Sequence, residues 1–179
     1  MTNSDIGLEK GIVRLQNHNP KWKDLFENES KMLLDKFPNI ILEISHGGST
    51  AIPNIPAKPI IDMFAVVSNL EDTKLLRQEL ESLGYVYRGE EGVSERILFT
   101  KEVGEKQTYH LQFVEKTSNE WKNHLLIKNY YLRHPEVAEQ YTLLKQKLAE
   151  QFPYDRKAYS NGKYDFIQSI IAKAKQEEM

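Results

Sequence analysis

The stretch that decides the fold is residues 40–67, IILEISHGGSTAIPNIPAKPIIDMFAVV. Its two apolar runs predict two buried strands. The prolines at positions 53, 56 and 59 stiffen the link between them, since each fixes φ and restricts the residue before it. Asp62 interrupts the second run. Because a buried carboxylate costs free energy unless it is paired, hydrogen-bonded or metal-bound, Asp62 is either a metal ligand or a structural acid that caps the link or pairs with Lys58.

The turn after the first predicted strand, Gly47-Gly48-Ser49-Thr50, carries a second signal. Glycine lets the backbone turn tightly and approach a ligand without a Cβ in the way. The freed N–H groups, together with the hydroxyls of Ser49 and Thr50, can form a concave cradle for phosphate oxygens. The alternative is an ordinary glycine turn between two strands.

The composition is that of a globular protein, with 40% hydrophobic and 28% charged residues. A length of 179 residues predicts one domain, spanning residues 1–179. The net charge of −2 argues against a protein that coats nucleic acid, and the absence of cysteine excludes disulfides and thiol catalysis. Neither a long apolar span nor a leader pattern is found, so we expect a cytoplasmic protein without a membrane segment.

The remaining periodicity predicts an α+β protein with a strand-rich middle and a helical C-terminal third. Alternation along the last predicted strand places His110 and Gln112 side by side on one face. The predicted strands are 40–45, 60–67, 85–88, 96–100 and 108–115. The predicted helices are 20–37, 70–83, 121–134, 135–151 and one from 155 or 160 to 175. The second helix is predicted to bury Leu75, Leu76, Leu80 and Leu83.

Gly48-Ser49, followed by a link to an acid on a strand, resembles the Gly-Ser…Asp signature of the nucleotidyltransferase superfamily that includes DNA polymerase beta. The fuller string HGGSTAIP…AKPIIDM is similar to the GrpB family, small proteins of that fold also found fused to dephospho-CoA kinase. The resemblance covers nearly the whole chain, from the first helix to Ile171. It implies an α+β fold with a small nucleotidyltransferase-like mixed sheet, helices on one face of the sheet and an open cleft on the other.

The resemblance implies an incomplete set of acids. In the superfamily, two acids alternate on the second strand and a third lies on a neighbouring strand, where they hold divalent metal between triphosphate and acceptor. Asp62 matches the first position, but the other two are Phe64 and Gln112. One weakly held Mg²⁺ with a nucleoside triphosphate or CoA-like ligand is therefore favoured over two-metal catalysis. Candidates for a further acid lie in a neighbouring loop, at Glu90, Glu91 and Glu95.

The resemblance also extends to the last third of the chain. Tyr159 and Lys163 match a Tyr-x-x-x-Lys run of the family, here within AYSNGKYDFI. A lysine beside an apolar stripe either reaches an anionic pocket or extends to solvent. The family's Phe-Arg-Asp-Tyr-Leu-Arg, which precedes Ala-His-Pro, becomes Ile-Lys-Asn-Tyr-Tyr-Leu at 127–132. Ligand contacts made by the family's arginines are therefore not inferred for this sequence.

The predicted site combines these residues. Asp62 and His110 are the predicted catalytic residues, and Asp62 is also the predicted metal ligand. Arg96 and Lys101 flank a strand near the cleft, where they either neutralise an anionic ligand or are simply solvated. The residues predicted to bind the ligand are Gly48, Ser49, Thr50, Lys58, Arg96, Tyr159 and Lys163.

Functions of three classes compete. The first is a binding module that holds a nucleotide or CoA-like phosphate compound and, by family analogy, steadies a partner such as dephospho-CoA kinase. The second is a nucleotidyltransferase that moves a nucleotidyl group from a nucleoside triphosphate to an unidentified small acceptor, with His110 as general base. The third is an interaction protein with a vestigial cleft. Nucleic acid is not an expected partner of any of them.

Overall fold

The computed structural model describes residues 6–178, which form a six-stranded mixed sheet with helices packed around it. The strands are β1 (Leu8–Glu9), β2 (Ile41–Gly47), β3 (Ile61–Val67), β4 (Tyr85–Gly89), β5 (Arg96–Val103) and β6 (Lys106–Glu115). Their spatial order is β2-β3-β6-β5-β4, and β1 pairs with the start of β6. β3 and β6 run parallel, whereas the other pairs are antiparallel. The predicted mixed sheet is confirmed.

Six α-helices of the described chain surround the sheet. They are α1 (Lys21–Lys36), α2 (Thr73–Ser82), α3 (Asn119–Arg133), α4 (Pro135–Gln151), α5 (Arg156–Gly162) and α6 (Tyr164–Glu177). α1 and α2 cover one face, where Leu33 and Leu80 share a core with Met63, Leu111 and Phe113. None of the helices within residues 6–178 is both long and apolar enough to cross a membrane.

The opposite face of the sheet is partly open. At the C-terminal ends of β3 and β6, Trp121 of α3 packs on Val66 and Val114. This contact anchors the start of α3. α3, α4 and α6 share a second apolar cluster, here called the helical cluster. These helices form the wall of the predicted cleft, so the helical C-terminal third is confirmed.

Two details of the prediction are wrong. The final helix is divided into α5 and α6 at Lys163, because α5 packs against α4 whereas α6 packs against α3. Leu75 is 73% exposed rather than buried. The buried side of α2 is formed by Thr73, Leu76 and Leu80, whose spacings of three and four residues exclude Leu75 from that side.

Candidate ligand-binding site

The strand register brings the glycine turn and Asp62 to the same place. Gly47 of β2 lies opposite Asp62 of β3, and Asp62 lies beside His110 of β6. Gly48 has φ +62° and ψ −171°, a conformation essentially restricted to glycine. A Cβ on Gly48 would lie 2.2 Å from Oδ2 of Asp62. The turn therefore sits directly against the carboxylate, as the sequence predicts.

Asp62 and His110 form a pair at the floor of the site. Nδ1 of His110 lies 3.2 Å from Oδ1 of Asp62. Burial raises the pKa of Asp62, but the hydrogen bond and charge of His110, with the charges of Lys58 and Lys163, outweigh it and lower the pKa overall. Asp62 is therefore ionised at neutral pH. Within residues 6–178, the side chain at hydrogen-bond distance from this carboxylate is His110 and not Lys58.

A cavity of about 450 Å³ opens above this pair, between the sheet and the wall formed by α3 to α6. Every residue of the predicted site lines it, although these residues are spread from β2 to the junction of α5 and α6. Their ligand-binding and catalytic roles stay a prediction. The predicted residues that line the cavity are Gly48, Ser49, Thr50, Lys58, Asp62, Arg96, His110, Tyr159 and Lys163.

Four lysines line the cavity, and three of them, Lys58, Lys145 and Lys163, are here called the lysine group. Lys145 is buried and donates to Oγ of Ser49 at 3.1 Å, and also to the carbonyl oxygen of Pro56. The ammonium groups of Lys58 and Lys163 lie over the ring of Tyr159, at 5.4 and 4.5 Å from its centroid. None of the three lysines has a carboxylate of residues 6–178 within ion-pair distance.

Burial lowers the pKa of each member of the lysine group, because a low-dielectric site disfavours the ammonium form. The pKa falls to about 7 for Lys145 and to about 8 for Lys58 and Lys163. Repulsion acts in the same direction: Lys163 and Lys58 lower the pKa of Lys145, and Lys58 lowers that of Lys163. The charge of Asp62 opposes this effect and raises the pKa of Lys58 and of Lys163. The ionisable groups that line the cavity are mainly cationic, with Asp62 as the one carboxylate among the described residues.

Two predicted residues are held by neighbours. The hydroxyl of Thr50 lies 2.9 Å from Nε2 of His46, which is buried and stacks on Phe26 outside the cavity. This contact gives His46 a structural role. Nη1 of Arg96 donates to Oε1 of Gln112 at 2.6 Å, so the residue at the third acid position orients the arginine.

The sequence also offered charged residues near the predicted site, three glutamates and Lys101, and none of them lines the cavity. Glu90, Glu91 and Glu95 do not line the cavity, and the carboxylate of Glu95 accepts from the backbone N–H of Asn119 at 3.1 Å. Lys101 forms an ion pair with Glu29 at 2.6 Å. These residues therefore add neither a second acid nor a further cation to the cavity wall.

The donor set does not fit a divalent metal ion held by the protein alone. Asp62 is the only carboxylate of the described chain that lines the cavity. Phe64, at the second acid position, stacks on His124 with ring centroids 4.1 Å apart. Residues 6–178 contain no group of three or more His, Cys, Asp or Glu side chains placed to hold a metal ion.

Sequence reasoning missed several residues of the helical wall. Lys145 is the clearest case, since it lies four positions after Tyr141 and seven after Ala138 on the buried side of α4. A lysine in the middle of an apolar stripe was the available signal. Lys128 appeared in the sequence only as a departure from the family, yet it lines the cavity and donates to the carbonyl oxygen of His46 at 2.9 Å. The other missed lining residues of this wall include His124, Tyr131 and Tyr141.

Comparison with known sequences relates nearly the whole chain to one family. The family model described as GrpB protein matches residues 12–173. The UPF0157 protein YqkA of Bacillus subtilis (strain 168) is 36% identical over 166 residues, which cover 93% of the chain and 48% of that protein. The chain therefore spans about half the length of that relative.

Comparison with solved structures agrees with the observed architecture. The crystal structure of conserved protein GrpB from Enterococcus faecalis superimposes with a TM-score of 0.85 and 34% identity, covering 92% of the chain and 99% of that structure. A cytoplasmic RNA terminal U-transferase superimposes with a TM-score of 0.50 and 13% identity, over 75% of the chain and 42% of that structure. This second likeness shows the fold alone, and it confirms the predicted nucleotidyltransferase-like fold.

Proposed function

The chain belongs to the GrpB family, and on this premise we propose that its cavity binds a phosphate-bearing ligand, a nucleoside triphosphate or a CoA-like compound. The observation that carries the proposal is the lysine group, three lysines that line one cavity and have no carboxylate of residues 6–178 within ion-pair distance. Unpaired buried charge is unfavourable, so such a cluster is best explained by an anion that completes it.

The glycine turn supports the same ligand class. Gly48 and Ser49 border the cavity on the side of Asp62, and the Ser49 hydroxyl is fixed by Lys145. Phosphate oxygens would accept hydrogen bonds from lysine ammonium groups and from the exposed backbone of the turn. The negative charge of Asp62 repels an anion. A ligand is therefore favoured whose phosphates lie near the lysine group, so that the Asp62 carboxylate keeps its hydrogen bond to His110.

Magnesium would enter this site with the ligand. Because Asp62 is the single lining carboxylate of the described chain, most of the oxygen ligands of Mg²⁺ would come from phosphates and water. We therefore expect binding of phosphate compounds without metal, and at most a modest increase in affinity when Mg²⁺ is added.

A thermal-shift screen of the purified chain tests the proposal. Nucleoside triphosphates, CoA, dephospho-CoA and inorganic tripolyphosphate are each added with and without Mg²⁺, and bound ligand raises the unfolding temperature. Lys145→Met and Lys163→Met should reduce the shift. Exposed lysines on α4 and α6 provide the controls, Lys147→Met and Lys173→Met. The proposal would be contradicted if no ligand raised the unfolding temperature, or if the rise were equal in all four variants.

Nucleotidyl transfer is the second candidate, and the Asp62–His110 pair favours it. With Nδ1–H of His110 donating to the carboxylate, Nε2 has no hydrogen-bond partner among residues 6–178 and could take the proton of an acceptor hydroxyl. The acceptor oxygen would attack the α-phosphorus of a nucleoside triphosphate, and pyrophosphate would leave toward the lysine group. Labelled nucleoside triphosphates are incubated with a pool of small-molecule and protein acceptors. Turnover that Asp62→Asn abolishes would establish this function, and no turnover would leave binding alone.

Dephospho-CoA kinase is a proposed partner on family analogy. Mixing the two purified proteins and measuring a complex by size-exclusion chromatography tests it directly. A complex that forms only with CoA or dephospho-CoA present would connect the partner to the cavity.

A further inference from the structure

Lys58 and Lys163 face one aromatic ring in the cavity, that of Tyr159. Because both ammonium groups lie over this ring, the two cations are neighbours. Within residues 6–178, neither ammonium nitrogen has a hydrogen-bond partner, and neither is fully buried, since both lysines are partly exposed. A molecule that enters the cavity can therefore reach both nitrogens.

The surroundings of Lys163 favour its neutral amine. Burial and the charge of Lys58 lower the pKa of Lys163 to about 8, although the charge of Asp62 opposes them. At about pH 7.5, such a lysine has on the order of 100 times more neutral amine than one with the usual pKa of about 10.4. The neutral amine is the nucleophile, and desolvation or a second cation activates a lysine for imine formation with carbonyl compounds.

The other two members of the lysine group belong to the side of the glycine turn. Lys145 donates to Ser49 and to the carbonyl oxygen of Pro56, and these contacts join the proline-rich link to the turn. Lys58 follows Pro56 by two positions in the same link. Because Lys145 is 1% exposed, it holds the turn and is not accessible to a carbonyl group. Lys163 comes from the junction of α5 and α6, so a phosphate at the turn leaves its amine available to a second group of the same ligand.

We propose that Lys163 forms an imine with a ligand that carries both a phosphate and an aldehyde or ketone group. This proposal goes beyond phosphate binding and rests on the proposed function for the position of the phosphate. The Lys163 nitrogen attacks the carbonyl carbon, and the proton that the nitrogen loses moves to the carbonyl oxygen, which gives a carbinolamine. The hydroxyl then leaves as water with the second nitrogen proton, and a C=N bond remains. Asp62 lines the same cavity, so its carboxylate stabilises the positive charge of the protonated imine.

The test uses pyridoxal 5′-phosphate as the probe, because this molecule carries an aldehyde and a phosphate on one ring. The full chain is mixed with the probe, imines are reduced with sodium borohydride, and the modified lysines are located by peptide mass spectrometry. We expect Lys163 to react about tenfold or more faster than the exposed Lys147 and Lys173, because more of its amine is neutral. Pyridoxal, which lacks the phosphate, should modify Lys163 about tenfold more slowly. Tripolyphosphate should slow the reaction of the phosphorylated probe.

Lys163→Arg separates the nucleophile from its charge. A guanidinium group keeps the positive charge but does not lose its proton in proteins, so it forms no imine. The variant should still bind tripolyphosphate in a calorimetric titration, while rapid modification by the probe is lost. The matched control is Lys173→Arg, at an exposed position of α6. This control should react at Lys163 as fast as the unaltered chain.

The outcomes separate imine formation from phosphate binding. Modification that is spread evenly over exposed lysines, that occurs mainly at Lys58 or Lys145, or that is undiminished in Lys163→Arg would overturn the role of Lys163. Tripolyphosphate binding without selective modification of Lys163 would overturn imine formation and leave the proposed function in place. Selective modification of Lys163 that is equally fast with pyridoxal and unaffected by tripolyphosphate would support the reactive amine and contradict the proposed function.

Discussion

At the scale of single residues, the site depends on a contact that only glycine permits. Gly48 combines φ +62° with ψ −171°, and its missing Cβ leaves room for the Asp62 carboxylate. Both features arise from the strand register, which places Gly47 opposite Asp62. The glycine turn and the acid are therefore one structural unit, although 14 positions separate Gly48 from Asp62 along the chain.

We predict that Gly48→Ala destabilises the fold by about 3 kcal/mol, from backbone strain of roughly 1–3 kcal/mol and displacement of Asp62 at a similar cost. Gly104→Ala is the matched control, because Gly104 has φ +61° with no atom within 4 Å of its would-be Cβ. Urea denaturation measures both variants. Equal losses of unfolding free energy in the Gly48→Ala and Gly104→Ala variants would show that displacement of Asp62 adds nothing to the cost of backbone strain.

At the scale of elements, the position of α3 determines whether the cavity has a wall. Trp121 is 5% exposed and holds the start of α3 against Val66 and Val114 of the sheet. It does not itself line the cavity. Trp121→Ala should lower the free energy of unfolding by about 3–5 kcal/mol and weaken nucleotide binding, because the residues that follow it on α3 carry part of the wall.

The control for this prediction is Leu132→Ala, at an apolar position of α3 that is 47% exposed. It should change neither stability nor binding by a measurable amount. Denaturation curves and calorimetry on both variants provide the comparison. A Trp121→Ala protein that remains fully stable would show that α3 is held by its other contacts.

The elements were predictable to different degrees. The strands of residues 40–67 could be located because prolines and glycines mark the ends of two apolar runs. The division between α5 and α6 could not, since the apolar spacing continues through Lys163 and the break depends on which neighbour each half contacts. Lys145 was missed because its orientation toward the cavity is set by the packing of α4.

At the scale of the whole molecule, charge is distributed unevenly. The chain has a net charge of −2, yet four lysines and Arg96 line one cavity together with a single carboxylate of the described residues, Asp62. The overall composition carried no information about this local excess of positive charge. Three lysines from the β2–β3 link, α4 and the junction of α5 and α6 meet only after the chain has folded.

This arrangement predicts opposite effects of pH on stability and binding. Because the pKa of each member of the lysine group lies at about 7 or 8, the folded chain binds fewer protons than the unfolded chain between pH 7.5 and 9. The free energy of unfolding should therefore rise with pH in that range. Affinity for tripolyphosphate should fall, since the ammonium groups are lost while the phosphates stay ionised. Thermal denaturation and calorimetry measure the two trends, and affinity that is independent of pH would contradict them.

The most direct measurement of the central claim is calorimetric titration of tripolyphosphate into two triple variants of equal formal charge. The first replaces Lys58, Lys145 and Lys163 by methionine, and the second replaces the exposed Lys147, Lys173 and Lys175. Circular dichroism verifies that both are folded. The lysine group predicts an affinity loss of about 100-fold or more in the first variant, from three lost charge-assisted hydrogen bonds, and wild-type affinity within about twofold in the second. Equal affinities in the two variants would contradict phosphate binding in this cavity.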